Sequence, residues 1–251
     1  MALTDNLVSY WKLDEASGNA ADSVGSNTAV NTGTATYGAA IINNGVILNG
    51  SSQYLTVTDH ASLDFTTAFS ASMWFKVTTM AADKALLVKW TYQTQGSWAI
   101  QTGIDAADEI GIFIATSLTD NGNGCHLTTD AANLSSDTWY HLVVVYDGSQ
   151  TGDANRLKIY VNASSKAFTV DAGAVPASLQ NSSAPVNMGF FGGVLTRHLG
   201  GSMDEVGLWS RALTSDEVTT LYNSGAGLQY PFSSGSATVI PIPQLLTLGV
   251  G

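Results

Sequence analysis

From Phe69 to Val77 the side chains Phe69, Ala71, Met73, Phe75 and Val77 alternate with Ser70, Ser72, Trp74 and Lys76. Successive side chains of an extended strand point to opposite faces, so this period of two sets the first group against a core. The segment 139–146 reads differently. Val143 and Val145 point one way and Leu142 and Val144 the other, as expected of a central strand covered on both faces. Further strands are expected at 7–13, 45–48, 54–57, 85–90, 97–101, 109–115, 156–161, 167–170, 186–190 and 203–209. Turn clusters such as Asn43-Asn44-Gly45, Asn121-Gly122-Asn123-Gly124 and Asp147-Gly148 separate them. A dozen strands in one flat sheet would leave a whole apolar face wet, so they must pair across two sheets or close into a barrel; a sandwich is expected.

Composition supports an all-β chain. The acidic residues are sixteen Asp and four Glu, and Asp bonds to nearby backbone in turns whereas Glu favours helix interiors. One short helix is expected: Thr214-Ser215-Asp216-Glu217 is a capping box, Val218 and Leu221 supply an apolar side, and Gly225 can end it. It should cover an edge or an end of the sandwich. Residues 1–232 then form one domain. Residues 233–251 are a Ser/Gly linker and an apolar tail with Val239, Ile240, Ile242, Leu245, Leu246, Leu248 and Val250, interrupted by Pro241 and Pro243. Such a tail is an unpaired, adhesive strand unless covered, so it is expected to dock on its own sandwich or on a neighbouring subunit.

The net charge of −11 opposes binding to nucleic acid and to anionic membranes. No apolar run approaches the roughly 20 residues needed to cross a bilayer, and the N-terminus has neither a basic nor an apolar leader region. A soluble protein made in the cytosol is expected. Cys125 is the single cysteine, which excludes an internal disulfide and a thiolate zinc site.

Several ordered phrases resemble laminin-G-like and pentraxin-like jelly rolls of the concanavalin A-like lectin/glucanase superfamily. They are Tyr10-Trp11-Lys12-Leu13-Asp14-Glu15-Ala16-Ser17-Gly18, Leu48-Asn49-Gly50-Ser51-Ser52-Gln53-Tyr54-Leu55, Ser70-Ala71-Ser72-Met73-Trp74-Phe75, Trp139 to Gly148, and Gly201-Ser202-Met203-Asp204-Glu205-Val206-Gly207-Leu208-Trp209-Ser210-Arg211-Ala212-Leu213-Thr214. The resemblance implies a two-sheet antiparallel jelly roll over residues 7 to about 228. It also implies a structural calcium ion, with Asp204 as the carboxylate ligand, Asp22 as a second ligand and the Gly50 carbonyl as another. The competing reading is that Asp204 satisfies backbone donors at the strand start. Trp11, Trp74, Trp139 and Trp209 sit in expected strands and are read as core; Arg211 is read as anchoring the start of the helix.

Glycan recognition needs exposed aromatic faces and polar groups for hydroxyls. The loop carrying Trp90 and Tyr92 fits best, joined by Asn121, Asn123 and His126 if the loops share one end of the sandwich. Trp98 is read as core, and Trp90 and Tyr92 serve either as sugar platforms or as edge packing. Catalysis is not expected. Glu15, Glu109, Glu205 and Glu217 are isolated from one another, which denies the paired carboxylates that glycanases of this fold place on one strand. His60, His126, His141 and His198 lack metal-ligand spacing, and His141 lies in a core strand. The function expected is therefore a non-catalytic recognition and assembly protein. It would be a virion-type decoration or tail-associated subunit on a particle surface, homo-oligomeric or attached through its tail, with glycan binding. The alternatives are a calcium-dependent lectin-like module and a glycoside hydrolase.

Overall fold

The computed structural model describes residues 1–233 except 82, 104–105, 107, 118–123 and 194–196. The strands in chain order are β1 (Leu7–Trp11), β2 (Val30–Thr32), β3 (Thr36–Ala39), β4 (Asn44–Asn49), β5 (Tyr54–Val57), β6 (Ala68–Val77), β7 (Ala85–Thr91), β8 (Gln95–Thr102), β9 (Ile110–Ile114) and β10 (Cys125–Thr129). They continue as β11 (Trp139–Asp147), β12 (Leu157–Val161), β13 (Ser164–Lys166), β14 (Phe168–Ala172), β15 (Val186–Met188), β16 (Phe190–Phe191), β17 (Arg197–His198) and β18 (Gly200–Trp209). A helical turn, α1 (Asp153–Arg156), precedes β12, and the helix α2 (Ser215–Tyr222) follows β18.

Two eight-stranded antiparallel sheets form the sandwich. One runs β13-β12-β11-β6-β18-β4-β3 with β1 added beside β18; the other runs β14-β10-β9-β8-β7-β15-β5-β2. Between them lies one apolar core that includes Trp11, Leu55, Phe69, Met73, Phe75, Trp98, Ile112, Leu142, Val144 and Met203. Alternation predicts this for β6, since Phe69, Ala71, Met73, Phe75 and Val77 all face inward. On β11, Leu142 and Val144 join that core, while Val143 and Val145 join a second cluster with Trp209, Leu213, Val218 and Leu221 on the sheet's other side.

That second cluster corrects the expected position of the helix. α2 covers the outer face of the central strands rather than an edge or an end, stacking Tyr222 on Trp74 at 5.7 Å. Ser70, Ser72 and Trp74, the polar-side residues of β6, are consequently buried too. Their partners lie outside the sandwich core: Ser70 Oγ donates to the Arg211 carbonyl and accepts from Leu213 N–H, and Ser72 bonds His141 Nε2 at 2.9 Å. Thr214 and Glu217 close the capping box as expected, but the helix ends at Asn223 in the left-handed region (φ 47°), not at Gly225. Asn tolerates that conformation because its short amide can bond locally, here to the Gly227 carbonyl at 2.8 Å.

Trp11, Trp74 and Trp209 are buried. Trp139 is not: it is half-exposed at the first position of β11, with the Lys76 ammonium 5.7 Å from its ring. Strands β2, β3, β10, β13 and β17 have no counterpart among the expected segments. The tail expected to dock, 237–251, lies outside the described residues. No helix among the described residues is long and apolar enough to cross a membrane.

Candidate functional site

The site is built on the face of the β14-to-β2 sheet that turns away from the main core. Where Ile110, Ile112 and Ile114 of β9 point inward, Phe113 points out; where Cys125 and Leu127 of β10 point inward, His126 and Thr128 point out. Thr128 Oγ1 donates to Asp171 Oδ2 on β14 at 3.0 Å. His126 Nδ1 is 3.8 Å from the same carboxylate, and its ring lies 5.6 Å from Phe113.

The β16–β17 hairpin folds onto this face and extends the aromatic row. Phe190 stacks on Tyr54 at 4.4 Å and lies tilted against His198 at 4.7 Å, while Phe191 meets Trp90 and Tyr92 at 6.2 and 6.4 Å. Arg197 joins the hairpin to the sheet. Its guanidinium lies 5.6 Å from Phe191 and 5.9 Å from Phe113, bonds Gln101 Oε1 at 2.8 Å and pairs with Asp83 at 3.2 Å. A planar cation over aromatic faces is attractive and fixes ring orientation. Burial lowers the His198 pKa, and Lys84 adds to the effect. Phe113, Tyr92, Tyr54, Phe190 and His126 are each partly exposed, and Asp171 is exposed. The face therefore offers ring surfaces together with an imidazole and a carboxylate, the chemistry that holds the apolar and hydroxylated sides of a sugar.

The structure sorts the expected glycan residues. Trp90 is 1% exposed and lies flat over Gly96, where a Cβ would sit 2.2 Å from the indole; it supports the platform and offers no face to a ligand. Trp98 is core, as expected. Tyr92 and His126 belong to the row. Asn121 and Asn123 lie outside the described residues. The contributions of Phe113, Phe190, Phe191 and Arg197 are absent from the sequence reading; period-two register on β9 was the one signal that pointed Phe113 outward.

Two of the expected calcium ligands, Gly50 and Asp204, stand apart. Asp22 pairs with Trp11 on β1, and its oxygens accept from Tyr10, Val24 and Asn27 N–H. Gly50 packs against Gly200 at the start of β18, four residues from Asp204, or roughly 13 Å along a strand. Asp204 Oδ2 accepts from Ile41 and Ile42 N–H at 3.1 and 2.9 Å, and Oδ1 is buried without a partner. Among the described residues no three His, Cys, Asp or Glu side chains group as a metal site.

What surrounds Asp204 is an acidic knot. A bulge on β18, with Glu205 at φ 50°, turns both Asp204 and Glu205 into the protein. Tyr10 donates its hydroxyl to Glu205, and the Gln229 amide bridges Glu205 at 2.5 Å and Asp14 at 2.9 Å. Burial pushes the Asp204 carboxyl up to about 8, helped by the charges of Glu205 and Asp14 and opposed by the Ile42 N–H. Burial likewise pushes Glu205 up to about 7, against the bonds from Tyr10 and Gln229.

A model of the concanavalin A-like lectin/glucanases superfamily matches residues 49–219. Among solved structures, the chain resembles domain 4 of AbnA, a GH43 extracellular arabinanase from Geobacillus stearothermophilus, in complex with arabinotriose. Identity is 18%, coverage 85% of this chain and 97% of that one, and the TM-score 0.62. It also resembles the binding domain of Paraclostridial Mosquitocidal Protein 1 (17% identity, 88% and 52% coverage, TM-score 0.59). A third is botulinum neurotoxin type C, whose cell entry depends on interaction with two ganglioside molecules (12% identity, 88% and 51% coverage, TM-score 0.63). The chain spans about half the length of those two toxin chains. These similarities establish a shared fold. No curated protein matches by sequence.

Proposed function

The chain belongs to the concanavalin A-like lectin/glucanase superfamily, and from that premise we propose that it is a non-catalytic glycan-binding module whose ligand lies along the Asp171–His126–Phe113–Tyr92 face. The observation that carries this reading is the row of partly exposed rings on one sheet face, braced from beneath by buried Trp90 and from the side by Arg197. Arabinotriose in the whole-domain neighbour and gangliosides for the neurotoxin are the ligand classes that favour it.

Catalysis is disfavoured by placement. Glu205 and Glu217 are buried on the opposite sheet's side, in the acidic knot and at the start of α2. Glu109 precedes β9 and Glu15 follows β1, so no two glutamates meet on the aromatic face to flank a glycosidic bond. A glycan array probed with the wild-type chain and with Phe113→Ala tests the proposal. Binding to at least one oligosaccharide class, lost in a folded Phe113→Ala protein, is the expected result; no binding across neutral and acidic glycans removes the glycan reading.

A second reading has one observation of its own. The apolar run 237–251 favours attachment of the module to other protein subunits, as in a virion-type decoration or tail-associated protein. The two readings are compatible, since a jelly roll fixed to a particle can hold glycans on its free face.

A further inference from the structure

Lys89 is a cation inside the protein. Its side chain is 1% exposed, although lysine is almost never fully buried unless paired. It leaves β7 toward the segment that follows β5. There its Nζ lies 2.5 Å from Asp59 Oδ1 and 3.3 Å from Asp64 Oδ1, and donates to the Ala184 carbonyl at 3.1 Å. The carboxylates are 29% and 17% exposed. Asp64 stands between the buried side chains Leu63 and Phe65. Asp59 also lines a cleft of about 270 Å³ with Ser26, Asn27, Thr58 and His60.

An amine held 2.5 Å from one carboxyl oxygen and 3.3 Å from a second carboxylate is a set of reactants as well as an ion pair. Two carboxylates and one ammonium carry a net charge of −1. Moving one proton from Nζ to Asp59 leaves that charge unchanged and places a neutral amine against a carboxylic acid. A fixed, water-poor arrangement of nucleophile and electrophile replaces a bimolecular encounter by an intramolecular one, with effective molarities of roughly 10⁵ M and above in well-oriented systems. Buried ion pairs also retain a desolvation cost that a neutral amide does not carry.

The geometry points to a covalent isopeptide cross-link between Lys89 and Asp59, made by the folded chain itself with Asp64 as the proton carrier. The Nζ lone pair adds to Cγ of protonated Asp59. The Asp64 carboxylate takes the proton that the nitrogen must lose and returns it to the departing hydroxyl. The Cγ–O bond breaks, the Nζ–Cγ amide bond forms, and one water leaves through the cleft beside Asp59. No atom changes oxidation state and no co-reactant is required. The product ties the loop after β5 to β7 across thirty residues, in a chain whose single cysteine provides no disulfide.

The test is the intact mass of the full-length wild-type chain under denaturing conditions, followed by tryptic mapping. The expected mass is one water below that of the sequence. Cleavage after Lys89 should be lost, and a branched peptide should join residues 13–76 to the peptide carrying Lys89. Lys89→Met and Asp59→Ala should each show the full mass of their own sequences. Asp64→Asn, folded by circular dichroism, should also keep the water. A wild-type chain at its full sequence mass, cleaved normally after Lys89, overturns the cross-link however the variants fold. A branch through Asp64 instead of Asp59 overturns the assignment of the acyl partner, and a complete water loss in Asp64→Asn overturns its part in proton transfer.

Discussion

Arg211 and Glu217 face each other at the start of α2 through two near-parallel bonds, Nη2 to Oε1 at 2.6 Å and Nη1 to Oε2 at 2.8 Å. The same guanidinium donates to the Asp5 and Ala2 carbonyls, so one side chain ties the N-terminal turn to the helix. Burial alone would raise the Glu217 pKa, but the bonds from Arg211 and Thr214 outweigh it and hold the carboxyl below its usual range. Removing one partner of a largely buried pair leaves the other uncompensated, at about 3 to 5 kcal/mol. Arg211→Ala is therefore expected to lower the thermal midpoint strongly and to expose residues 1–6 to limited proteolysis. A midpoint within a degree of wild type would contradict this.

The acidic knot sets the pH response. Both Asp204 and Glu205 hold their protons more tightly folded than unfolded. For a carboxyl raised in this way, the folded state binds the extra proton, so stability is full below the unfolded value and is lost as pH rises through the folded one. The window runs from the ordinary carboxylate range up to about 7 and about 8. Buried His141, lowered to about 3 by desolvation, acts oppositely, costing stability as pH falls below its usual value. The carboxyl effect is thus cleanest on the alkaline side. The unfolding free energy from denaturant titrations should fall as pH rises from about 6.5 to about 8, by on the order of 1 kcal/mol per pH unit and chiefly through Asp204, and should level off above that; Asp204→Asn should flatten the slope.

Gly96 exists to receive Trp90. A methyl group there would stand 2.2 Å from the indole, and the ring, walled in by Phe113 and Phe191, has little room to retreat. Gly96→Ala should cost about 1 to 3 kcal/mol and weaken glycan binding by displacing the platform. Trp90→Ala, which empties the same site, should cost about 3 to 5 kcal/mol. Equal midpoints for wild type and Gly96→Ala in urea titrations would show that the indole moves freely.

Deleting residues 237–251 separates folding from assembly. Among the described residues every member of the main core precedes this segment, so the truncated chain is expected to keep its thermal midpoint. It should also lose any oligomer or particle attachment seen for the full chain by light scattering and co-sedimentation. Identical assembly by both forms would remove the support for the second functional reading.

Local pattern settled much of this molecule. Period-two alternation from Phe69 to Val77, apolar faces on both sides of 142–145 and the capping box at Thr214 each specify an element from a few neighbouring residues, because strand pleat and helix caps are short-range geometry. Strands such as Thr36–Ala39 and Ser164–Lys166 carried no such signal. They are short and polar or glycine-containing, and they exist because β4 and β12 offer them an edge.

The binding face and the buried charges belong to tertiary structure. No spacing in the chain announces that Arg197 lies over Phe113, that Lys89 meets Asp59 and Asp64, or that Gln229 bridges Asp14 and Glu205, since each joins segments brought together only by sheet order and the β18 bulge. The sequence alone determined the all-β sandwich, its buried tryptophans Trp11, Trp74 and Trp209, and the absence of an internal disulfide. Only the folded chain decided which aromatic rings remain open and which carboxylates lose water, because exposure and desolvation depend on what packs above a residue rather than on what stands beside it in the chain.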